Sequence, residues 1–143
     1  MSDRVWAIIV AAGSGARFGG SKQLASLAGR SLLDRSVATA RTACDRVVCV
    51  LAAEIVSSVS LPDDVVLVEG GPTRSASVRA GLGAVPDGAH VVLVHDAARP
   101  LATVELYQRV IGAVDAGADA AVPVVPVVDT IRHVTGGVVD RDQ

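Results

Sequence analysis

Short apolar runs alternate along this chain with segments spaced like helices, and that alternation restricts the fold more than any other feature. VWAIIVA at 5–11, RVVCVL at 46–51, VVLV at 65–68, HVVLV at 90–94 and AAVPVV at 120–125 each have the length of a strand. Between them the spacing becomes helical. Leu32, Leu33, Val37 and Ala40 share a face, with Ser31 as N-cap and Asp34 in the first turn. A short helix is expected over 53–59, and Pro62-Asp63-Asp64 marks a turn. Thr73 caps a helix from about 74 to 82, with Val78 and Leu82 on its apolar face. Thr103 or Glu105 opens another through Val114, closed by Gly117. The tail from 130 to 143 alternates around Gly136-Gly137 and reads as a projecting β-hairpin arm. Strands alternating with helices predict an α/β fold: a doubly wound, mostly parallel sheet with helices on both faces.

Composition agrees with that arrangement. Half of the residues are apolar, yet Trp6, Phe18 and Tyr107 are the only aromatic ones. Small and branched side chains suit strands buried on both faces. At 143 residues the chain is one domain, long enough to bury a core. The net charge of −2 gives no bulk attraction to nucleic acid or to an anionic membrane. The late run AAVPVVPVV is broken by Pro123 and Pro126 and is too short to span a bilayer. Cys44 and Cys49 lack metal-ligand spacing and read as buried, reduced thiols, which suits the cytoplasm.

In doubly wound sheets ligands bind beyond the carboxyl ends of the strands, and three such loops carry the chemistry. The first, AAGSGARFGGSK, has glycines at 13, 15, 19 and 20. Phe18 stands where G-x-G-x-x-G needs glycine, and Ser21 precedes Lys22 where the phosphate loop would have Ser or Thr after it. Both standard motifs fail. A nest of backbone N–H groups with Arg17 and Lys22 nearby still suits a polyphosphate, against the alternative of a surface loop with two solvated cations.

The second loop, EGGPTRSASVRAGL, brings hydroxyls, amides and Arg74 to a helix start, where an anion or an ordinary cap would serve equally. In the third, VLVHDAARP, Asp96 follows the most apolar strand. A hard oxygen there suits Mg²⁺ held mostly by substrate phosphates; an ion pair with Arg99 is the alternative. His95 reads as a packed histidine.

AAGSGARFGGSKQ, GGPTRSASVRAGL, VLVHDAARP and AVPVVPVVDTI, in this order, closely resemble the 2-C-methyl-D-erythritol 4-phosphate cytidylyltransferases of the non-mevalonate isoprenoid pathway. The resemblance runs from about Val5 to Arg141, and ribitol-phosphate cytidylyltransferases share most of it. It implies a Rossmann-like nucleotidyltransferase fold and transfer of a cytidylyl group from CTP to a polyol phosphate with release of pyrophosphate. Ala11, Ala12, Gly13, Gly71 and Ser77 would surround the cytosine. Gly15, Arg17 and Lys22 would hold the triphosphate, the last two as catalytic cations. Asp96 and Ala97 would meet the ribose and the metal–phosphate region, with Asp96 as the Mg²⁺ ligand. Arg99 and Thr130 would contact the polyol phosphate. Arg141 matches a family arginine that reaches into a neighbouring subunit's site, which implies a homodimer through the arm.

The sequence departs from the family at Ser21, often proline, and at Pro72, often acidic. Family members also continue past the equivalent of Gln143 with a Gln-Thr-Pro-Gln segment, further helices and late charged residues. The expectation is therefore a single domain, 1–143, incomplete at its C-terminal end. Two alternatives stand beside the leading reading: the same transfer to ribitol phosphate or another sugar phosphate, and a truncated, non-catalytic nucleotide-binding protein.

Overall fold

The computed structural model describes residues 4–13, 22–126, 128, 134–135 and 138–139. Four parallel strands form the central sheet: β1 (Val5–Ala11), β4 (Arg46–Leu51), β5 (Val65–Glu69) and β6 (Val91–Asp96), in the order β5-β4-β1-β6. The chain steps outward from β1 to β4 and β5, then crosses to the opposite side of β1 for β6. The β1/β6 crevice is thus the point where winding reverses, and there the strand tips open a ligand site.

The pleat of β1 divides the core in two. Ala7, Ile9 and Ala11 face one side, where they pack with Val47, Cys49 and Leu51 of β4. Covering that side are α1 (Leu32–Ala43), through Leu33, Val37 and Ala40, and α4 (Val104–Asp115), through Tyr107. Trp6, Ile8, Val48 and Val50 face the other side, beneath α3 (Arg74–Leu82). Ile8, Ile9, Leu33 and Leu51 are fully buried, each contributing roughly 1.5–3 kcal/mol by leaving water. α3 has little apolar patterning of its own, and Gly81 lets it lie close to the sheet. A Cβ there would stand 2.6 Å from Ile8 Cγ2 and 3.0 Å from Val50 Cγ2.

The caps follow the sequence expectations. Ser31 Oγ accepts a hydrogen bond from the Asp34 amide at 3.0 Å, and Thr103 Oγ1 accepts one from the Leu106 amide at 3.3 Å. Between the first loop and α1 lies a hairpin that periodicity does not predict, β2 (Ser26–Leu27) paired with β3 (Arg30–Ser31). Its turn has φ of 50° at Ala28 and 77° at Gly29, the left-handed pair that tight hairpins require. The Arg35 guanidinium donates to the Leu27 and Ala28 carbonyls and ties the hairpin to α1.

Three expectations need correction. Leu82, expected on the apolar face of α3, is 43% exposed, and the buried residues of that helix are Ser77 and Gly81. The short helix α2 (Ala53–Val56) ends three residues before 59, because the Ser58 amide and hydroxyl both donate back to the Ile55 carbonyl and close the turn. The run 120–125 is not a buried strand. Val122, Val124 and Val125 are 79%, 86% and 83% exposed, and none of the described strands pairs with the run. An apolar run becomes a buried strand only where a neighbour offers a hydrogen-bonded edge and a covering layer. In the tail β7 (Val134–Thr135) pairs antiparallel with β8 (Val138–Val139), as expected of a hairpin there. Among the described residues no helix is long and apolar enough to cross a membrane.

Candidate functional site

The tips of β1, β5 and β6 open into one cavity of about 1160 Å³, ample for a nucleotide-sized ligand. Ala11, Ala12 and Gly13 line it from β1, Gly70, Gly71 and Ser77 from β5 and α3, and Asp96, Ala97 and Arg99 from β6. The three loops singled out in the sequence therefore meet.

On the β5 side the packing leaves no slack. The Gly70 amide donates to the Leu51 carbonyl at 2.7 Å and prolongs the sheet ladder. A Cβ at Gly70 would collide with Ala12 Cβ and lie 2.9 Å from Ser77 Oγ. Only glycine lets the tips of β1 and β5 approach this closely. Ser77 is 2% exposed, and its hydroxyl lies within donating distance of the Gly71 carbonyl (3.3 Å) and the Thr73 carbonyl (3.0 Å). Its proton is spent on backbone, which leaves the oxygen lone pairs for a ligand. Thr73 is the N-cap of α3, its Oγ1 accepting from the Ala76 amide at 3.1 Å.

On the β6 side charge dominates. Arg74, the first helical residue of α3, reaches Asp96 across the cavity mouth. Its Nε donates to Asp96 Oδ1 at 2.9 Å, and its Nη2 lies 2.9 Å from the same oxygen. Arg99 Nε stands 3.7 Å from Asp96 Oδ2. The sequence reading weighed only Arg99 as the partner of Asp96; the closer one is Arg74, 22 positions earlier. Ala97 is 1% exposed, and both of its backbone polar groups are used internally. Its amide donates to the Val10 carbonyl at 3.0 Å, and its carbonyl accepts from Ser36 Oγ at 3.2 Å. Its amide is therefore closed to a ligand.

His95 points to the opposite face of β6 and stacks on Tyr107, with ring centroids 5.5 Å apart. Burial lowers its pKa, partly offset by the Asp96 charge. It is the packed histidine the sequence suggested. Burial also pushes both thiols, Cys44 and Cys49, up to about 12, with the Asp45 charge adding to the effect at Cys44, so neither is a nucleophile.

Gly15, Arg17, Thr130 and Arg141 lie outside the described residues, and of Lys22 only the backbone is described, opening a 3₁₀ turn (Lys22–Leu24). Sequence reasoning missed Gln23, 5% exposed, whose Nε2 donates to the Gly13 carbonyl at 3.3 Å and anchors one end of the first loop. It also missed Glu54 of α2 and Glu69 at the tip of β5, which line the same cavity. A polar residue beside Lys22 was the only available hint for the first, and tertiary position alone reveals the others.

Whether Mg²⁺ suits these residues can be judged from the donor set. Among the described residues no group of three or more His, Cys, Asp or Glu could hold a metal by itself. Three carboxylates line the cavity, Glu54, Glu69 and Asp96, and of these the partly exposed Asp96 stands beside two guanidinium groups. That arrangement fits a cation carried in with a polyphosphate, taking one protein oxygen and the rest from phosphate and water.

Comparison with known proteins follows the same lines. The sequence profile of the 2-C-methyl-D-erythritol 4-phosphate cytidylyltransferase family matches residues 5–143. A relative of that name from Frankia casuarinae is 45% identical over 139 residues, covering 93% of this chain and 52% of its own length. The crystal structure of the protein of that name from Thermus thermophilus superposes with a TM-score of 0.73 at 35% identity, covering 97% of this chain and 63% of that one. A 4-diphosphocytidyl-2C-methyl-D-erythritol synthase from Anaerococcus prevotii superposes with a TM-score of 0.83 at 26% identity, covering 96% and 63%. The chain thus spans 52–63% of the length of these proteins. By its profile match, its relatives and its fold, the chain belongs to the 2-C-methyl-D-erythritol 4-phosphate cytidylyltransferase family.

Proposed function

We propose that the cavity binds CTP with Mg²⁺ and that the protein transfers the cytidylyl group to 2-C-methyl-D-erythritol 4-phosphate, releasing pyrophosphate. The observation that carries this reading is the convergence of the β1, β5 and β6 tips on one cavity, with Ser77 on one side and Asp96 and Arg99 on the other. The neutral, close-packed side suits a flat base, and the charged side suits phosphates.

The chemistry asks little of a general base. The acceptor phosphate is already an anionic nucleophile. One of its oxygens forms a bond to the α-phosphorus of CTP while the bond to the bridging oxygen breaks, and the electron pair leaves with pyrophosphate. The protein's work is to align two polyanions and to neutralise the charge spreading over the phosphoryl oxygens. Arg17 and Lys22 are assigned that role, with Gly15 presenting backbone amides and Arg99 and Thr130 gripping the acceptor phosphate. Bound Mg²⁺ supplies further charge neutralisation at the phosphates, with Asp96 as its protein ligand. His95, packed on Tyr107, has no part in this mechanism.

The same reading includes a homodimer in which Arg141, on the arm that carries β7 and β8, serves the neighbouring site. It also includes a cytoplasmic setting, where free thiols such as Cys44 and Cys49 persist.

Titration calorimetry of this chain with CTP, UTP, ATP and GTP in Mg²⁺ tests the binding claim, and pyrophosphate release with a panel of polyol phosphates tests the transfer. CTP is expected to bind at least about tenfold tighter than the other three nucleotides, the scale of discrimination that one or two hydrogen bonds to the base supply. Equal binding of all four, or none, would overturn the assignment.

A further inference from the structure

Asp96 has a difficulty as a cation ligand. A carboxylate oxygen carries two lone pairs, and Oδ1 faces two nitrogens of the Arg74 guanidinium at 2.9 Å each. The other oxygen, Oδ2, faces Arg99 at 3.7 Å. Both oxygens are thus turned toward arginines, and Oδ1 is fully engaged. A cation cannot reach it without moving Arg74.

Arg74 is able to move. Its side chain is 61% exposed, at the first position of α3, while the helix behind it is held by the Thr73 cap and by Gly81 against Ile8. It also lines the cavity. A guanidinium released from Asp96 finds its best alternative partner in a phosphate, which it can grip through two N–H groups.

We propose that Arg74 is a latch on Asp96: it offsets the carboxylate charge and fills one of the two oxygens a divalent cation could take, and it surrenders both to grip the phosphates of an incoming nucleotide. This inference rests on reading the cavity as a metal–nucleotide site. A metal–nucleotide complex brings the replacement partner for each half of the ion pair, the cation for Asp96 and the phosphate for Arg74. Either partner alone must break the pair without full replacement. Cation and nucleotide therefore bind cooperatively, and each raises the affinity of the other by the same factor. Arg74 is a positioning residue in this scheme, acting on the metal through Asp96.

The test is titration of Mn²⁺, followed by its electron paramagnetic resonance signal, into the wild-type chain, Arg74→Gln and Arg79→Gln, each with and without CTP. Arg79 lies on the same helix and is exposed; its substitution removes a charge without touching the latch. Arg74→Gln is expected to bind Mn²⁺ alone about three- to fivefold tighter than wild type, the scale of a partly exposed ion pair. The gain that CTP confers should shrink in that variant, and Arg79→Gln should match wild type. A merely structural role for Arg74 would not tighten metal binding.

The latch is overturned if Arg74→Gln binds Mn²⁺ no tighter than wild type, or if Arg79→Gln reproduces its effect. If wild type shows no heat with CTP in the presence of Mn²⁺, the metal–nucleotide reading itself fails and the latch with it. Should Arg74→Gln not fold, as judged by circular dichroism, Arg74→Lys replaces it. A single ammonium covers Oδ1 less completely, so tighter Mn²⁺ binding than wild type supports the latch, and unchanged binding removes it.

Discussion

The two sides of the cavity are built on opposite principles. Toward β5, apart from Glu69 at the strand tip, the surfaces of Ala12, Gly70, Gly71 and Ser77 are neutral and held by packing that leaves no room for a methyl group. Toward β6, Asp96, Arg74 and Arg99 are held by ion pairs between partly or largely exposed side chains. A close-packed, uncharged side can discriminate shape but cannot rearrange. A charged, solvated side exchanges partners readily and is worth little to stability. Substitutions should therefore separate them: changes on the first side should cost folding and ligand selection together, and changes on the second should alter ligand and metal binding while the melting temperature barely moves.

The sharpest way to break that contrast is Gly70→Ala. The new methyl group would meet Ala12 Cβ, Ser77 Oγ and Val50 Cγ1, and Ala12 has no rotamer with which to yield. Overpacking of this kind costs about 1–3 kcal/mol, and the strand tips must part to relieve it. Chemical denaturation should register that loss, and calorimetry should show CTP binding weakened by more than about tenfold. A variant with wild-type stability and affinity would mean that the β5 side is not the rigid wall described here.

How much of this contrast could be read from the sequence depends on the range of the interactions behind it. Strand limits at Val5–Ala11 and Arg46–Leu51 came out as expected, because a buried parallel strand is a continuous apolar run bounded by polar residues. The caps at Ser31, Thr73 and Thr103 were legible because capping acts over three residues. Convergence of three loops followed from the general rule that places ligands at strand carboxyl ends. The pairing of Asp96 with Arg74 was not legible, since it joins residues 22 apart and a nearer arginine, Arg99, offered a simpler partner. The run at 120–125 misled for a related reason: its composition satisfies the rule for a buried strand, but burial depends on a neighbour that a local pattern does not contain. Thr130 and Arg141 stand on the family resemblance alone, and Gly15 and Arg17 on that resemblance and the composition of the first loop.

A milder probe of the fixed side is Ser77→Ala. The Thr73 carbonyl would keep its bond from the Ser77 amide at 2.9 Å, so only the Gly71 carbonyl is left without its partner. The expected loss is about 0.5–1.5 kcal/mol, the net worth of one hydrogen bond, read as a lower denaturation midpoint. If a base donates to this hydroxyl, CTP affinity should fall by a similar factor while Mn²⁺ binding in the absence of nucleotide stays at the wild-type level. A drop in metal affinity instead would show that the two sides are not independent.

The smallest effect sharpens the comparison from behind the charged side, at His95. Burial holds its pKa below the ordinary value of 6.5, so near pH 7 the ring is neutral in both the folded and the unfolded chain and contributes no pH dependence. As pH falls below 6.5 the unfolded chain takes up a proton that the folded chain resists. Stability therefore drops with falling pH through the window between the ordinary and the depressed values, and levels off below the latter. One proton allows at most about 1.4 kcal/mol per pH unit, and Asp96 next door offsets part of the burial effect, so the slope should be a fraction of that. His95→Gln removes the titrating group but also the stacking on Tyr107. Its stability should be lower at every pH, yet its slope just below pH 6.5 should be flatter than that of wild type. Equal slopes would place the acid sensitivity elsewhere and leave His95 a passive part of the packing beneath Asp96.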